Sequence, residues 1–355
     1  MGKWDINTKT APKRQRLEDR LLEMRGAWYS SIMNVLITGS SGQIGTNLAL
    51  ALQAKGHRVL GVDKRANTWT QAVETEIIDL NVPPPPTASP AGGSGAGALM
   101  KVAQAFKPTV VVHLAAWAKV HQLVKEPGKA FENVAMVYWA LEAARATKAA
   151  VVMGSSREVY GDILRHVTDE TNTDFVTAES PYSASKIAAE AFFSSYARCY
   201  GMPTLVFRFS NVYGRYDNDL ERMERVIPLF VRKIWRGEPI TVFGRDKMLD
   251  FTYVDDCVSG IVAGVEALTS GQVVDETINL AYGQGQTLYD LVSLIELATG
   301  KQAQATYLPS QTGEVTRYVA DITKARKLLG YKPAVPLAVG MRKYVGWCKE
   351  TGFIG

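Results

Sequence analysis

The stretch Val35-Leu36-Ile37-Thr38-Gly39-Ser40-Ser41-Gly42-Gln43-Ile44-Gly45 constrains the fold more than any other part of the chain. Its apolar and β-branched start reads as a strand covered on both faces. Glycines then fall at every third position. The first permits a tight turn, the second lets a pyrophosphate approach the backbone, and the third lets a helix pack on the strand. The helix that follows aims free N–H groups and its positive dipole end at an anion. The next strand, His57-Arg58-Val59-Leu60-Gly61-Val62-Asp63, ends in an acid 18 residues after Gly45. That is where a carboxylate hydrogen-bonding a ribose 2′-OH is expected. Strand, glycines, helix, strand and acid in register point to a dinucleotide, with Gly39, Ser41, Gly42, Gln43, Ile44, Gly45 and Asp63 as its contacts. Asp63 favours NAD over NADP, although Lys64 and Arg65 beside it could hold a 2′-phosphate.

The length of 355 residues leaves room for one large or two fused domains with a substantial core. The net charge of +5 is uneven: residues 1–32 hold seven Lys/Arg against four acids. No general nucleic-acid footprint is expected, although a basic groove for an anionic sugar nucleotide is compatible with the rest. Cys199, Cys257 and Cys348 are odd in number and far apart, so neither a disulfide framework nor a metal site is expected. They suit a reducing compartment, and a cytoplasmic location is expected. No run approaches a membrane span, and the first residues lack the apolar core of a secretory signal.

Along the chain, residues 1–32 precede the first strand and receive no chemistry. Glu76-Ile77-Ile78-Asp79-Leu80 reads as a third strand, whose terminal acid can meet an adenine amino group. Pro83 to Pro86 and the Gly/Ser/Ala-rich stretch Gly92 to Gly97 then read as a mobile loop. Lys101 to Lys107 continues a helix. Thr109 to Ala116 is the fourth strand and its exit, where small residues let the backbone near a cofactor; Leu114, Ala115 and Ala116 are assigned to that contact. His113 at its end is expected to be packed rather than catalytic. Residues 128–148 have helical periodicity with Asn133 inside, and Ala149 to Ser156 is the fifth strand.

Two segments supply the chemistry: Gly154-Ser155-Ser156-Arg157-Glu158-Val159-Tyr160-Gly161 and Ser180-Pro181-Tyr182-Ser183-Ala184-Ser185-Lys186. Tyr182 and Lys186 are four apart and share a helix face. An ammonium beside a phenol favours the phenolate, so the expectation is a Tyr182 pKa below about 10 and a general base near neutral pH. Ser156 can hydrogen-bond the same substrate oxygen. Ser156, Tyr182 and Lys186 are therefore the catalytic candidates.

With these motifs in place, the chain resembles the extended short-chain dehydrogenases/reductases, specifically their NAD-dependent nucleotide-sugar epimerase/dehydratase branch. The resemblance runs from about Met33 to Trp347. It implies an α/β fold, a Rossmann-type doubly wound parallel sheet with a smaller C-terminal α/β substrate-binding domain. The boundaries implied are an extension at 1–32, an NAD-binding domain at 33–207 with a flexible insertion at 82–98, and a mainly substrate-binding part at 208–355 that returns some segments to the first domain. The ribose acid falls on Asp63, with Lys64 next to it, and the adenine-contacting pair on Asp79 and Leu80. Asn133, Tyr182 and Lys186 join the NAD contacts.

The resemblance also implies a nucleotide-sugar site. Asn211, in Arg208-Phe209-Ser210-Asn211-Val212-Tyr213-Gly214, would contact the diphosphate. Val226, Thr241, Val242 and Phe243 would hold the nucleobase, with Arg245 nearby, and Glu314 would meet the nucleotide ribose. Ser156, Arg157 and Glu158 would face the sugar. Two positions depart from the pattern: Leu249 and Gln311 stand where many relatives carry arginine, so a bidentate cation is missing twice. Arg245, Lys247 or Arg317 could substitute. A homodimer through residues 128–148 and 182–200 is implied as well.

The family begins by oxidising the sugar at C4. Tyr182 takes the hydroxyl proton while NAD takes the hydride, and the 4-keto sugar rotates and is reduced from its other face. Dehydratases of this branch have Thr-Asp-Glu where this chain has Ser156-Arg157-Glu158. Arg157 removes the acid that would protonate a leaving 6-OH, which disfavours dehydration. Glu158 resembles the glutamate of UDP-glucuronate decarboxylases, so that alternative stays open. A 4-epimerase of UDP-glucose/galactose or UDP-glucuronate/galacturonate leads. A UDP-glucuronate decarboxylase or NDP-sugar 4,6-dehydratase is the alternative, and a non-catalytic dinucleotide-binding regulator is the alternative of another class.

Overall fold

The structure is a computed structural model that describes residues 32–81, 95–161, 178–221, 224–310 and 315–355. The proline run at 83–86, residues 311 and 314, and all but the last residue of the 1–32 extension lie outside the described residues.

The strands, in chain order, are β1 (Asn34–Thr38), β2 (Arg58–Asp63), β3 (Thr75–Ile77), β4 (Val110–His113), β5 (Ala150–Ser156), β6 (Thr204–Phe209), β7 (Asn211–Tyr213), β8 (Ile240–Phe243), β9 (Met248–Tyr253), β10 (Glu276–Leu280), β11 (Gly285–Thr287) and β12 (Ala305–Leu308). The helices are α1 (Gln43–Ala54), α2 (Gly95–Phe106), α3 (Val120–Lys125), α4 (Gly128–Thr147), α5 (Pro181–Tyr200), α6 (Val226–Arg236), α7 (Val254–Thr269), α8 (Leu288–Thr299), α9 (Thr323–Leu329) and α10 (Leu337–Glu350).

Seven strands form one sheet in the order β10-β6-β5-β4-β1-β2-β3, every neighbouring pair parallel. A parallel sheet must be covered on both faces, and the alternation of side chains along each strand supplies two apolar surfaces. Val35 and Ile37 of β1 pack with Leu48 and Leu52 of α1 and with Ile261 and Val265 of α7. Leu36, between them, joins Leu99 of α2, Leu141 of α4 and Phe193 of α5 on the opposite face. The result is the expected Rossmann-type, doubly wound α/β fold. The strands and helices beyond residue 208 divide between this sheet and a smaller α/β part. β10 and α7 sit on the sheet, whereas β7, β9 and β11 form a three-stranded sheet and β8 pairs with β12. The first apolar cluster runs without a break from β1 to Phe251, Leu291 and Tyr344 of that smaller part.

Two elements differ from the sequence reading. The third strand occupies Thr75–Ile77 rather than 76–80, since its pairing with β2 ends where β2 does at Asp63; Asp79 turns back, its Oδ1 accepting from Asn81 N at 2.9 Å. The helix expected around Lys101 begins at Gly95, inside the segment assigned to the insertion. Fully buried Leu99 and Ala103 hold it on the sheet, so packing overrides the poor helix propensity of its first glycines.

The strand order reverses between β1 and β4. In open α/β sheets this creates a crevice at the carboxyl ends of the strands.

Candidate functional site

A cleft of about 1140 Å³ lies over the ends of β1, β4 and β5 and continues to the wall made by β7, β8 and β9. It exceeds the roughly 300–1,000 Å³ of an ordinary small-molecule pocket.

Its floor is the glycine loop. Gly39 has φ +77°, and a Cβ there would sit 2.6 Å from Ala115 N. A Cβ on Gly45 would sit 2.2 Å from Gly39 O. These two glycines bring β1, α1 and the exit of β4 together more closely than side chains permit. Gly42 caps α1 without a side-chain partner for the first-turn N–H groups, which leaves them for an anion. Asp63 accepts from Ser41 N at 3.1 Å and Arg65 N at 3.2 Å. A carboxylate offers about four acceptor positions, so two remain for ribose hydroxyls. Gly39, Gly42, Gln43, Ile44, Gly45, Asp63 and Lys64 all line the cleft, followed by Asp79, Leu80, Leu114, Ala115 and Ala116. A dinucleotide fits this donor set and cradle. Lys64 Nζ stacks 3.6 Å from the Trp117 ring centroid, an arrangement that already employs its charge.

Two expected cofactor contacts face elsewhere. Ser41 does not line the cleft; its hydroxyl donates to Arg65 O at 2.9 Å and ties the glycine loop to the end of β2. Asn133 is buried behind the wall. Its Oδ1 accepts from Trp117 N at 2.7 Å, and its Nδ2 donates to Trp117 O and Ser185 Oγ at 3.0 and 3.1 Å. Its amide shapes the loop after β4 instead of reaching into the cleft.

The reactive residues rest on a well-anchored helix. Ser180 and Ser183 form a reciprocal capping box at the start of α5, with Pro181 in the first turn. Glu190 on the same helix accepts from Ser155 Oγ at 2.6 Å and from two Arg208 nitrogens at 3.0 and 2.6 Å, pinning α5 to β5 and β6. Tyr182 and Lys186 are thereby held in the cleft with Ser156, whose hydroxyl is placed to act on the Tyr182 phenol. Lys186 Nζ donates to Gly154 O at 2.9 Å and lies 5.9 Å from the Tyr182 ring centroid.

The electrostatics differ from the expectation of a phenol made acidic by its lysine. Burial pushes Tyr182 up to about 12; the Ser156 hydrogen bond opposes this, the Glu158 charge adds to it, and Arg225 and Arg157 pull the other way. Desolvation wins because the ammonium is turned to a carbonyl rather than to the phenol oxygen. The same burial lowers Lys186 to about 8, against the pull of Glu190. His113 is buried, bonded through Nδ1 to Thr38 Oγ1 at 2.7 Å, and lowered to about 3 by burial and by Lys186. It is a neutral packed histidine, as the sequence reading has it.

On the far wall, Asn211, Val226, Thr241 and Phe243 line the cleft. Val242 is fully buried and points into the core, since alternate residues of β8 face opposite sides. Arg245 also misses the cleft; its guanidinium stacks 4.3 Å from the Tyr289 ring, beside a separate cavity of about 500 Å³ that Arg317 also lines. Of the three basic residues considered as replacements for the missing arginines, only Lys247 lines the main cleft. Arg225 is a cation the sequence reading missed. It lines the cleft and donates Nη1 to Gln43 Oε1 of the glycine loop, with Asp217 Oδ1 at 3.4 Å. No local motif marks it, because its partner in the loop is 182 residues away. Arg157 and Glu158 face the cleft as a mutual ion pair at 3.0 Å. No group of three or more potential metal ligands occurs among the described residues.

The profile of the NAD dependent epimerase/dehydratase family matches residues 35–281. The probable UDP-glucuronate 4-epimerase of Rhizobium meliloti is 31% identical over 342 residues, covering 90% of this chain and 98% of its own. Among solved structures, the UDP-glucose 4-epimerase of Thermotoga maritima with UDP-glucose superposes with a TM-score of 0.80 at 27% identity, covering 90% of this chain and 99% of that one. The UDP-glucuronic acid 4-epimerase of Bacillus cereus, in complex with UDP-glucuronic acid and NAD, gives 0.76 at 26% identity, covering 90% and 100%.

Proposed function

The chain belongs to the NAD dependent epimerase/dehydratase family, and from that premise we propose that it is an NAD-dependent nucleotide-sugar 4-epimerase. The observation that carries the reading is a single cleft in which Ser156, Tyr182 and Lys186 stand between the glycine loop and a second wall with room for another nucleotide. Asp63, with two acceptor positions left for ribose hydroxyls, suits NAD. When bound, NAD accepts a hydride from the sugar and returns it, so no external reductant is consumed. Tyr182 takes the C4 hydroxyl proton, Ser156 orients that oxygen, and Lys186 holds the strand end at Gly154 beside them. Arg225 and Lys247 are the cations we assign to the diphosphate, in place of the arginines absent at Leu249 and Gln311. Arg157 in the position of the dehydratase acid argues against dehydration.

Incubation with UDP-, dTDP-, GDP- and CDP-sugars, followed by product NMR, tests this. The expected result is a 4-epimer formed without added reductant. Release of CO₂ from UDP-glucuronate would make the protein a decarboxylase, and tight NAD with no turnover of any sugar would make it a binding protein.

The homodimer is likewise our reading. Phe131 is 80% exposed, and Tyr138, Phe192 and Tyr200 are also exposed, all on α4 and α5, an apolar density unusual for a solvated helix pair. Phe131→Glu combined with Phe192→Glu should halve the mass seen by light scattering; an unchanged mass would move the interface elsewhere. Three unpaired thiols, with Cys257 and Cys348 buried, support a reducing compartment and hence a cytoplasmic location. Among the described residues no helix is long and apolar enough to cross a membrane.

A further inference from the structure

The ion pair beside Tyr182 carries two unmet hydrogen-bonding groups. Arg157 Nη2 meets Glu158 Oε1 at 3.0 Å, and both side chains are largely buried, 12% and 8% exposed. Arg157 Nη1 and Glu158 Oε2 are buried without a hydrogen-bond partner among the described residues. One is a donor and the other an acceptor, and together the pair has no net charge. Unmet buried polar groups are costly, so their presence in a cleft wall points to a ligand that completes them. Both residues follow Ser156 directly in the chain and line the same cleft as Ser156 and Tyr182. The neighbouring charge, Asp250, is already engaged by the backbone N–H groups of Tyr282, Gly283 and Ala320 at 3.1, 2.9 and 3.4 Å.

A hydroxyl both accepts and donates, so one hydroxyl completes Arg157 Nη1 and Glu158 Oε2 together. A carboxylate only accepts; it would complete Arg157 and leave Glu158 facing a like charge. The geometry of epimerisation, on which this inference rests, makes the distinction sharp. A sugar that turns over about its C1–C4 axis keeps O4 at Tyr182 and exchanges the groups carried by C3 and C5. Whichever group meets the pair in one half-reaction, the other meets it in the next. In a hexose both groups end in hydroxyls. In a hexuronate one orientation brings a carboxylate against Glu158.

We propose that Arg157 and Glu158 form a neutral hydroxyl reader that admits both orientations of a nucleotide hexose and discriminates against a nucleotide hexuronate. The experiment compares kcat/KM for 4-epimerisation of UDP-glucose and UDP-glucuronate by the intact protein, then by Glu158→Gln. The wild type should favour UDP-glucose by about tenfold or more, which corresponds to about 1.4 kcal/mol. Glu158→Gln removes the like charge but keeps a hydrogen-bonding group, and should move the ratio toward UDP-glucuronate by about tenfold, a 1.4 kcal/mol shift. Any effect of the substitution on Tyr182 itself cancels in the ratio. Equal or better use of UDP-glucuronate by the wild type overturns the proposal and leaves the epimerase reading intact, as does a ratio unmoved in a folded Glu158→Gln protein. If that variant does not fold, the wild-type ratio decides alone. Epimerisation of neither sugar would remove the epimerase reading, and this inference with it.

Discussion

Tyr182→Phe is expected to lower turnover by about 10³-fold or more, near the upper part of the range for a lost general acid–base group, while the purified protein keeps its NAD. The substitution removes one oxygen and leaves the ring, which is 7% exposed and packed at the start of α5. Folding and cofactor retention should therefore survive, and circular dichroism with cofactor release by denaturation would check both. Two neighbouring bases are already committed elsewhere: His113 is engaged with Thr38 and lowered to about 3, and Lys186 is turned to Gly154 O. The protein's own residues hold Tyr182 at about 12, so as a base near neutral pH it needs further positive charge. A bound oxidised nicotinamide supplies such a charge. In the cofactor-free protein the phenol should stay protonated until about pH 12 in an absorbance titration, and adding NAD should bring its ionisation down. With NAD bound, the rate of sugar oxidation should rise with pH through the lowered value and then level off, since only the phenolate accepts the proton. Near-normal turnover by the phenylalanine variant would remove Tyr182 from the mechanism.

The sign of that pKa shift marks where sequence stops being informative. The i, i+4 spacing does put Tyr182 and Lys186 in one cleft, because helix geometry is local. It does not say which oxygen the ammonium will face, and here a carbonyl of β5 takes it. The glycine loop and Asp63 are legible for the same local reason: strand, turn and helix lie within thirty-odd residues, and Gly39 and Gly45 each answer a backbone contact. Side-chain direction on the second wall was only partly legible. The alternation of Ile240 and Val242 with Thr241 already separates a core face from an open one, and that signal excludes Val242 from the site. Arg245 and Asn133 carried no such signal; Tyr289 and the backbone of Trp117, which engage them, are brought near only by the tertiary fold. Arg225 is the converse, a cation invisible in the sequence because Gln43, which it meets, is brought near only by the tertiary fold.

Gly45→Ala is expected to have the other large effect, on folding and cofactor binding together. The added methyl would lie 2.2 Å from Gly39 O and 2.8 Å from Ser40 Cα, both backbone atoms that cannot step aside as a flexible side chain would. Relief requires α1 to move off β1, which also displaces the N–H groups of its first turn and the loop bonded to Asp63. Overpacking of this kind costs about 1–3 kcal/mol. The same loop carries Gly39 at φ +77°, so the strand end has little freedom to absorb the shift. The contrast is Gly346→Ala in α10, where a methyl meets nothing within 4 Å. There the gain in helix propensity should stabilise the protein by about 0.5–1 kcal/mol. Urea melts of the two variants should therefore move in opposite directions, and only Gly45→Ala should be purified without NAD. A Gly45→Ala protein with an unshifted midpoint and full cofactor would mean that α1 does not depend on this contact, and the loop would lose its role as the cofactor's cradle.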